Sequence, residues 1–294
     1  MRISEVHFES EGVRCTGWHY HLENQGKAPC VILAHGFDGV REQRLDAYAE
    51  CFAEAGLPAL VFDYRGFGHS QGQPRQRVSN TAQLQDWRAA IDYAFEKLPH
   101  VDRRRVALWG TSTSGGHVVQ LAADDQRIAA VVTQMPFTSG FAQFRHLPIL
   151  HGGRLVWTGV RDQVNDWLGR KPVTVPAGGQ PYTLAVNTTR DALSGLYAIT
   201  PAETKWRNEV LARFALTTAF YRPGAAAKRL RCPLLVCVAD GDRLIPVRPQ
   251  LKLARHGQLR RYRYGHFEMY FGAGFKQVVA DQLAFLECTL ATAP

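Results

Sequence analysis

The chain has 294 residues, 46% hydrophobic and 21% charged, which excludes a disordered chain and leaves room for one α/β core with an insertion or for two small domains. Its formal charge is +9 at pH 7 and its pI about 9.4. The basic residues are spread along the chain, with short runs only at Arg103 to Arg105 and in RRYR at 260–263; this argues against a nucleic-acid partner and implies only a mild bias toward anionic substrates.

The N-terminus, MRISEVHFESEG, has no apolar signal core, and no segment reaches the roughly 18 apolar residues of a membrane helix. No membrane partner and a cytoplasmic location are therefore expected. Residues 3–9 and 13–21 alternate polar and apolar around Ser10-Glu11-Gly12, the pattern of an antiparallel hairpin with one wet face at a sheet edge. After the polar loop ENQGKAP, the run CVILAHG (30–36) is apolar throughout, as in a strand covered on both faces.

Helices and strands then alternate: a helix over 42–55, strand LPALVFDY, a helix over 80–97, strand RVALWG, a helix from Ser114 to Ala123, and strand IAAVVTQ. Such alternation predicts a parallel sheet with helices on both faces and functional residues at the carboxyl ends of the strands. The pattern breaks at MPFTSG and resumes at CPLLVCVADGD (232–242), followed by a helix from Val247, a short strand LRRYRYG and a closing helix over 274–291. Residues 1–136 and 230–294 are read as an α/β core, and 137–229 as a mainly helical cap inserted after the sixth strand. The six cysteines contain no C-x-x-C pair and read as small buried hydrophobes. No metal-ligand spacing or dinucleotide fingerprint appears, so no metal and no cofactor are expected.

The segment LWGTSTSGGHV places Ser112 at a strand-to-helix turn, two residues after Gly110. A serine hydroxyl is a weak nucleophile, so it needs exposure, a paired base and donors for the oxyanion that forms on attack. The usual G-x-S-x-G pattern carries Ser114 here in place of its second glycine, and Ser114 is itself a competing nucleophile. A flexible turn, or a phosphate cradle at a helix start, is the bland alternative. The N–H groups of Thr113 and Phe37, the latter in AHGFDG, are candidate oxyanion donors. For the acid, Asp242 is favoured by its loop position before Pro246, with Asp240 as the alternative holding the loop by backbone hydrogen bonds. Of eleven histidines, His266 in YGHFEMY fits the base, because it follows the acid and precedes the last helix. His35 reads as lining the oxyanion side, while His19, His21, His100 and His117 have ordinary structural positions.

The stretches AHGFDG, FDYRGFGHSQGQPR, LWGTSTSGGHV, VADGDRLIP and YGHFEMY together resemble the α/β-hydrolase superfamily. They are closest to its X-Pro dipeptidyl-peptidase-like or serine-aminopeptidase-like branch, which includes polyketide-transferase-like relatives. The resemblance implies an α/β-hydrolase fold, Ser112, Asp242 and His266 as a catalytic triad, Phe37 and Thr113 as oxyanion donors, tolerance of Ser114, and a structural role for Asp63, Arg65 and Gly68. Hydrolysis of a carboxylic ester or thioester through an acyl-serine is the leading expectation; acyl transfer, peptidase action on the same triad, or ligand binding without catalysis are the alternatives. Trp157, Trp167 and Trp206 are candidates to line an apolar pocket for a small acyl substrate, or else form the core of the cap. A homodimer is left open.

Overall fold

A computed structural model describes residues 1–23 and 26–291; Asn24 and Gln25 of the expected polar loop lie outside the described residues. In chain order the elements are β1 (Arg2–Ser10), β2 (Val13–His21), β3 (Ala28–Ala34), α1 (Leu45–Glu54), β4 (Ala59–Phe62), α2 (Asn80–Glu96), β5 (Val101–Thr111), α3 (Thr113–Asp124) and β6 (Ile128–Gln134). Then come α4 (Gly140–Phe144), α5 (Ile149–Trp167), β7 (Thr174–Val175), α6 (Ala192–Ile199), β8 (Val210–Leu211) and α7 (Ala215–Thr218). The chain closes with β9 (Leu234–Ala239), α8 (Val247–Leu253), β10 (Gln258–Tyr262) and α9 (Gly272–Ala291).

Eight strands form one sheet in the order β1-β2-β4-β3-β5-β6-β9-β10. The β1–β2 hairpin sits at one edge and joins β4 antiparallel; from β4 to β10 every pairing is parallel. This is the parallel sheet that the alternation of strands and helices predicted, in the α/β-hydrolase arrangement that the resemblance implied. The strand period of two divides the core. Cys30 and Ile32 face α2 and α3 with Trp87, Val118 and Val119, whereas Val31 and Leu33 face α1 and α9 with Tyr48, Phe52 and Leu286.

Some boundaries move. The expected helix at 42–55 starts at Leu45, because Arg44 adopts φ 68° and the residues before it form turns. The run LPALVFDY pairs only over Ala59–Phe62; its last two residues turn away to build a loop. Asp63 organises that loop, accepting the Arg41 and His69 N–H groups at 2.8 and 3.0 Å. Gly68 at φ +47° lies so close that a Cβ there would sit 2.3 Å from the Asp63 carboxylate. Cys288 is exposed on α9, unlike the buried Cys15, Cys30 and Cys237, so not every cysteine is a core residue.

Residues between β6 and β9 make the short helices and the β7–β8 pair, pinned by a buried ion pair. Asp162 of α5 accepts the Arg213 N–H and Nε and the Val173 N–H at 3.0, 2.8 and 2.8 Å. The turn Pro223–Arg229 packs back on α3, with Pro223 against Gly116. No helix among the described residues is long and apolar enough to cross a membrane.

Candidate active site

The sheet order fixes where chemistry can be placed. The chain leaves β3 toward β4 on one side, while β5, β6, β9 and β10 add on the other, so the β3–β5 crevice is a switch point where adjacent loops diverge and leave a space. Phe37 follows β3 and Ser112 follows β5, one on each side of that crevice. The loops after β9 and β10 carry Asp242 and His266 at the same carboxyl edge.

Ser112 has φ 55° and ψ −120°, a strained setting for a residue with a Cβ. It is held from both sides: its N–H donates to Gln134 O at 2.9 Å and its carbonyl accepts from the Phe137 N–H at 2.7 Å. Small neighbours make the turn possible. A Cβ on Gly110 would lie 2.4 Å from Ser114 O, and one on Gly36 would lie 2.8 Å from both Ser112 Cβ and Thr113 N. Gly36 thereby brings the Phe37 peptide against the Ser112–Thr113 turn. Ser114, the competing serine, is fully buried, with its Oγ accepting from Tyr64 Oη at 3.2 Å. It faces the core and lines no described cavity.

The acid and histidine meet directly. His266 Nδ1 lies 2.9 Å from Asp242 Oδ2, and both side chains are buried. The other oxygen, Asp242 Oδ1, accepts the N–H groups of Leu244 and Ile245 at 2.8 and 2.9 Å, which fixes the orientation of the carboxyl toward the histidine. Asp240 instead points outward to Arg261 at 2.9 Å; its expected backbone-holding role belongs to Asp242.

His35 uses both ring nitrogens locally. Nδ1 accepts the Gly36 N–H at 3.0 Å, which leaves the proton on Nε2, 3.2 Å from Gln43 O. Burial lowers its pKa to about 4, so it shapes the loop as a neutral ring. His117 has a place in the site that its position on α3 did not reveal. Gln83 Nε2 donates to Phe37 O at 2.7 Å, and Gln83 Oε1 lies 3.1 Å from His117 Nε2. Nothing in the sequence pattern marks Gln83, because the contact spans 46 residues.

Phe37, Ser112 and Thr113 line one cavity of about 70 Å³, whose wall is otherwise mostly apolar: Phe137, Phe144, Leu155, Phe214 and Leu244. Five of its lining residues, Gln143, Leu147, Val186, Asn187 and Leu244, also line a neighbouring cleft of about 840 Å³. The three tryptophans expected in the pocket stand elsewhere. Trp157 and Trp167 project from α5 into solvent, 66% and 76% exposed, because α5 turns its other face to the 212–218 segment. Trp206 is buried, donating from Nε1 to Asp38 Oδ2 at 2.9 Å. No cluster of three or more metal-ligating side chains occurs among the described residues.

A mostly parallel sheet with a strained serine at its switch point and an Asp–His pair at the same edge defines an α/β hydrolase. The chain belongs to the hydrolase family whose model is described as serine aminopeptidase, S33, which it matches over residues 25–271. It is 41% identical over 286 residues to the quorum-quenching protein AidA of Acinetobacter baumannii, covering 96% of this chain and 94% of that protein. Thiohydrolase aneE of Aspergillus aculeatus is 26% identical over 309 residues, covering 98% and 94%. Among solved structures, the α/β hydrolase GrgF from Penicillium superposes with a TM-score of 0.82 at 22% identity, covering 99% of this chain and all of that one.

Proposed function

We propose that the chain is a serine-dependent acyl hydrolase that cleaves a carboxylic ester or thioester through an acyl-Ser112 intermediate. The observation that carries this reading is Ser112, held at positive φ at the floor of an apolar cavity, on the sheet edge that also holds the His266–Asp242 pair. Residues 137–229 act in this reading as the cap over a core of residues 1–136 and 230–294. Support for acyl-bond hydrolysis also comes from the relative named a thiohydrolase.

In the first half-reaction Ser112 Oγ attacks the acyl carbon while its proton passes to His266 Nε2. Asp242 holds the Nδ1–H and stabilises the imidazolium. The N–H groups of Phe37 and Thr113 donate to the oxyanion, each worth about 3 to 4 kcal/mol in the transition state. Collapse expels the alcohol or thiol, which takes the proton from His266. In the second half-reaction His266 removes a proton from water, which attacks the acyl-serine and regenerates Ser112. Acyl transfer is the same first half with another acceptor in place of water.

Fluorophosphonate labelling followed by peptide mass mapping, together with burst kinetics on a nitrophenyl ester series, tests the reading. The expected result is a single adduct on Ser112 and loss of turnover by roughly 10⁴-fold or more in Ser112→Ala and His266→Ala. Retained activity in either variant, or an unlabelled Ser112 in folded protein, refutes it.

A further inference from the structure

Three exposed arginines from three separate elements line the cleft beside the Ser112 cavity. Arg154 stands on α5, Arg190 just before α6, and Arg243 in the loop after β9, beside Asp242. His146 and His151 also line the cleft, and among the described residues its wall contains no Asp or Glu. Arg154, Arg190 and Arg243 take part in no ion pair among the described residues.

Polar atoms around the cleft are also unmatched. Gln143 Oε1, His151 Nε2 and Thr189 Oγ1 are buried without a hydrogen-bond partner, and all three residues line the cleft. The cavity at Ser112 is small, about 70 Å³, and the neighbouring cleft, which shares Gln143 and Asn187 with it, offers room for the rest of a larger substrate.

We propose that this cleft seats an anionic group, a carboxylate or phosphate, carried by the substrate away from its scissile acyl bond; the proposal rests on the acyl-hydrolase reading of Ser112. Planar guanidinium groups suit both anions through paired N–H donors. Positive charge without internal counter-ions also raises the local concentration of anionic substrate. The anion comes from one of two sources, the far end of the acyl chain or the leaving group, and matched substrate pairs separate them.

The first pair is the 4-nitrophenyl monoester of glutaric acid against 4-nitrophenyl pentanoate, which differ by a carboxylate on the acyl side. The second is butyryl-4′-phosphopantetheine against butyryl-pantetheine, which differ by a phosphate on the leaving group. At about 50 mM salt, where screening is weak, the wild type is expected to favour the anionic member of at least one pair by tenfold or more in kcat/KM. The ratio is expected to fall to within about twofold of unity in the triple variant Arg154→Gln, Arg190→Gln, Arg243→Gln, and to shrink in 0.5 M salt. The pair that responds identifies the source.

Ratios near one for both pairs in the wild type, or a ratio that survives the triple substitution, would overturn the proposal. Should the wild type turn over no ester or thioester, the acyl-hydrolase reading fails separately, and the cleft is then judged by calorimetric binding of coenzyme A and glutarate. At least tenfold weaker binding in the triple variant supports the anion site, whereas absent or unchanged binding sinks it.

Discussion

The side-chain amide of Gln83 connects the Phe37 peptide to a buried chain of polar groups. Because its Nε2 donates to Phe37 O, its Oε1 must accept, which assigns the proton of His117 to Nε2 and leaves Nδ1 to accept from Tyr221 Oη at 2.7 Å. Burial lowers the His117 pKa to about 3, so the chain stays neutral and keeps this polarity. Phe37 itself sits at φ 49°, a conformation that costs of order 1 kcal/mol or more and persists only when neighbours hold it. In the proposed mechanism Gln83 is therefore a positioning residue for the Phe37 N–H. Gln83→Leu is expected to lower kcat by roughly 10- to 100-fold with little change in KM, since displacement of a donor acts on the transition state. Steady-state kinetics on one activated ester would check this, and an unchanged kcat removes Gln83 from the site. At this scale the sequence marked Ser112, Asp242 and His266 by order and by the company of glycines and turns. It favoured Ser112 over Ser114 by the glycine two residues before it and by the end of the strand, and the structure adds that Ser114 Oγ accepts a hydrogen bond from Tyr64, fifty residues away.

Among the elements, α5 was legible as a helix, but the face it buries was not. Its aromatic residues suggested an inward-facing apolar stripe, yet the residues that turn inward are Leu155, Thr158, Gly159 and Asp162. The reason is Asp162, whose carboxylate gathers the Arg213 guanidinium and two main-chain N–H groups. A buried ion that satisfies three donors dictates the helix rotation more firmly than one more apolar contact does. Gly159 adds to this by allowing the 212 carbonyl to approach, since a Cβ there would lie 2.9 Å from Ala212 O. Asp162→Ala leaves Arg213 paired with Asp166 but strips the acceptor from the Val173 and Arg213 N–H groups. The substitution is expected to destabilise the chain by about 2 to 4 kcal/mol and to open the 149–218 region first, read as a lower urea midpoint together with faster amide exchange in α5. A midpoint within error of the wild type would show that the pair does not hold the helix.

For the molecule as a whole, buried titratable groups set how stability follows pH. His19, His35 and His117 are held neutral by burial, with pKa values near 4, 4 and 3. As pH falls below 6.5 the unfolded chain takes up protons that the folded one refuses, so stability is lost toward acid. Asp38 acts in the opposite sense: burial raises it to about 7, so the folded state holds a proton that the unfolded chain releases. Burial also raises Asp46, Asp63 and Asp86, which act in the same direction as Asp38. With the histidines dominant, unfolding free energy is expected to fall by about 2 to 4 kcal/mol between pH 6.5 and 5, and a flat urea-midpoint profile over that range would contradict it. Asp38→Asn keeps an acceptor for Trp206 and removes the opposing group. It is expected to exceed the wild type in stability above pH 7 by up to about 4 kcal/mol, with the advantage vanishing near pH 4; equal midpoints at pH 8 would refute the raised carboxyl. By itself the sequence determined the alternation of strands and helices, the edge hairpin and the order of serine, acid and histidine, since these are written in local periodicity and chain order. Only the tertiary structure decided which serine faces the cavity, which aspartate meets the histidine, which way the tryptophans turn and that three arginines share one cleft. Each of those depends on side chains brought together from distant parts of the chain, and a single sequence carries no local mark of such meetings.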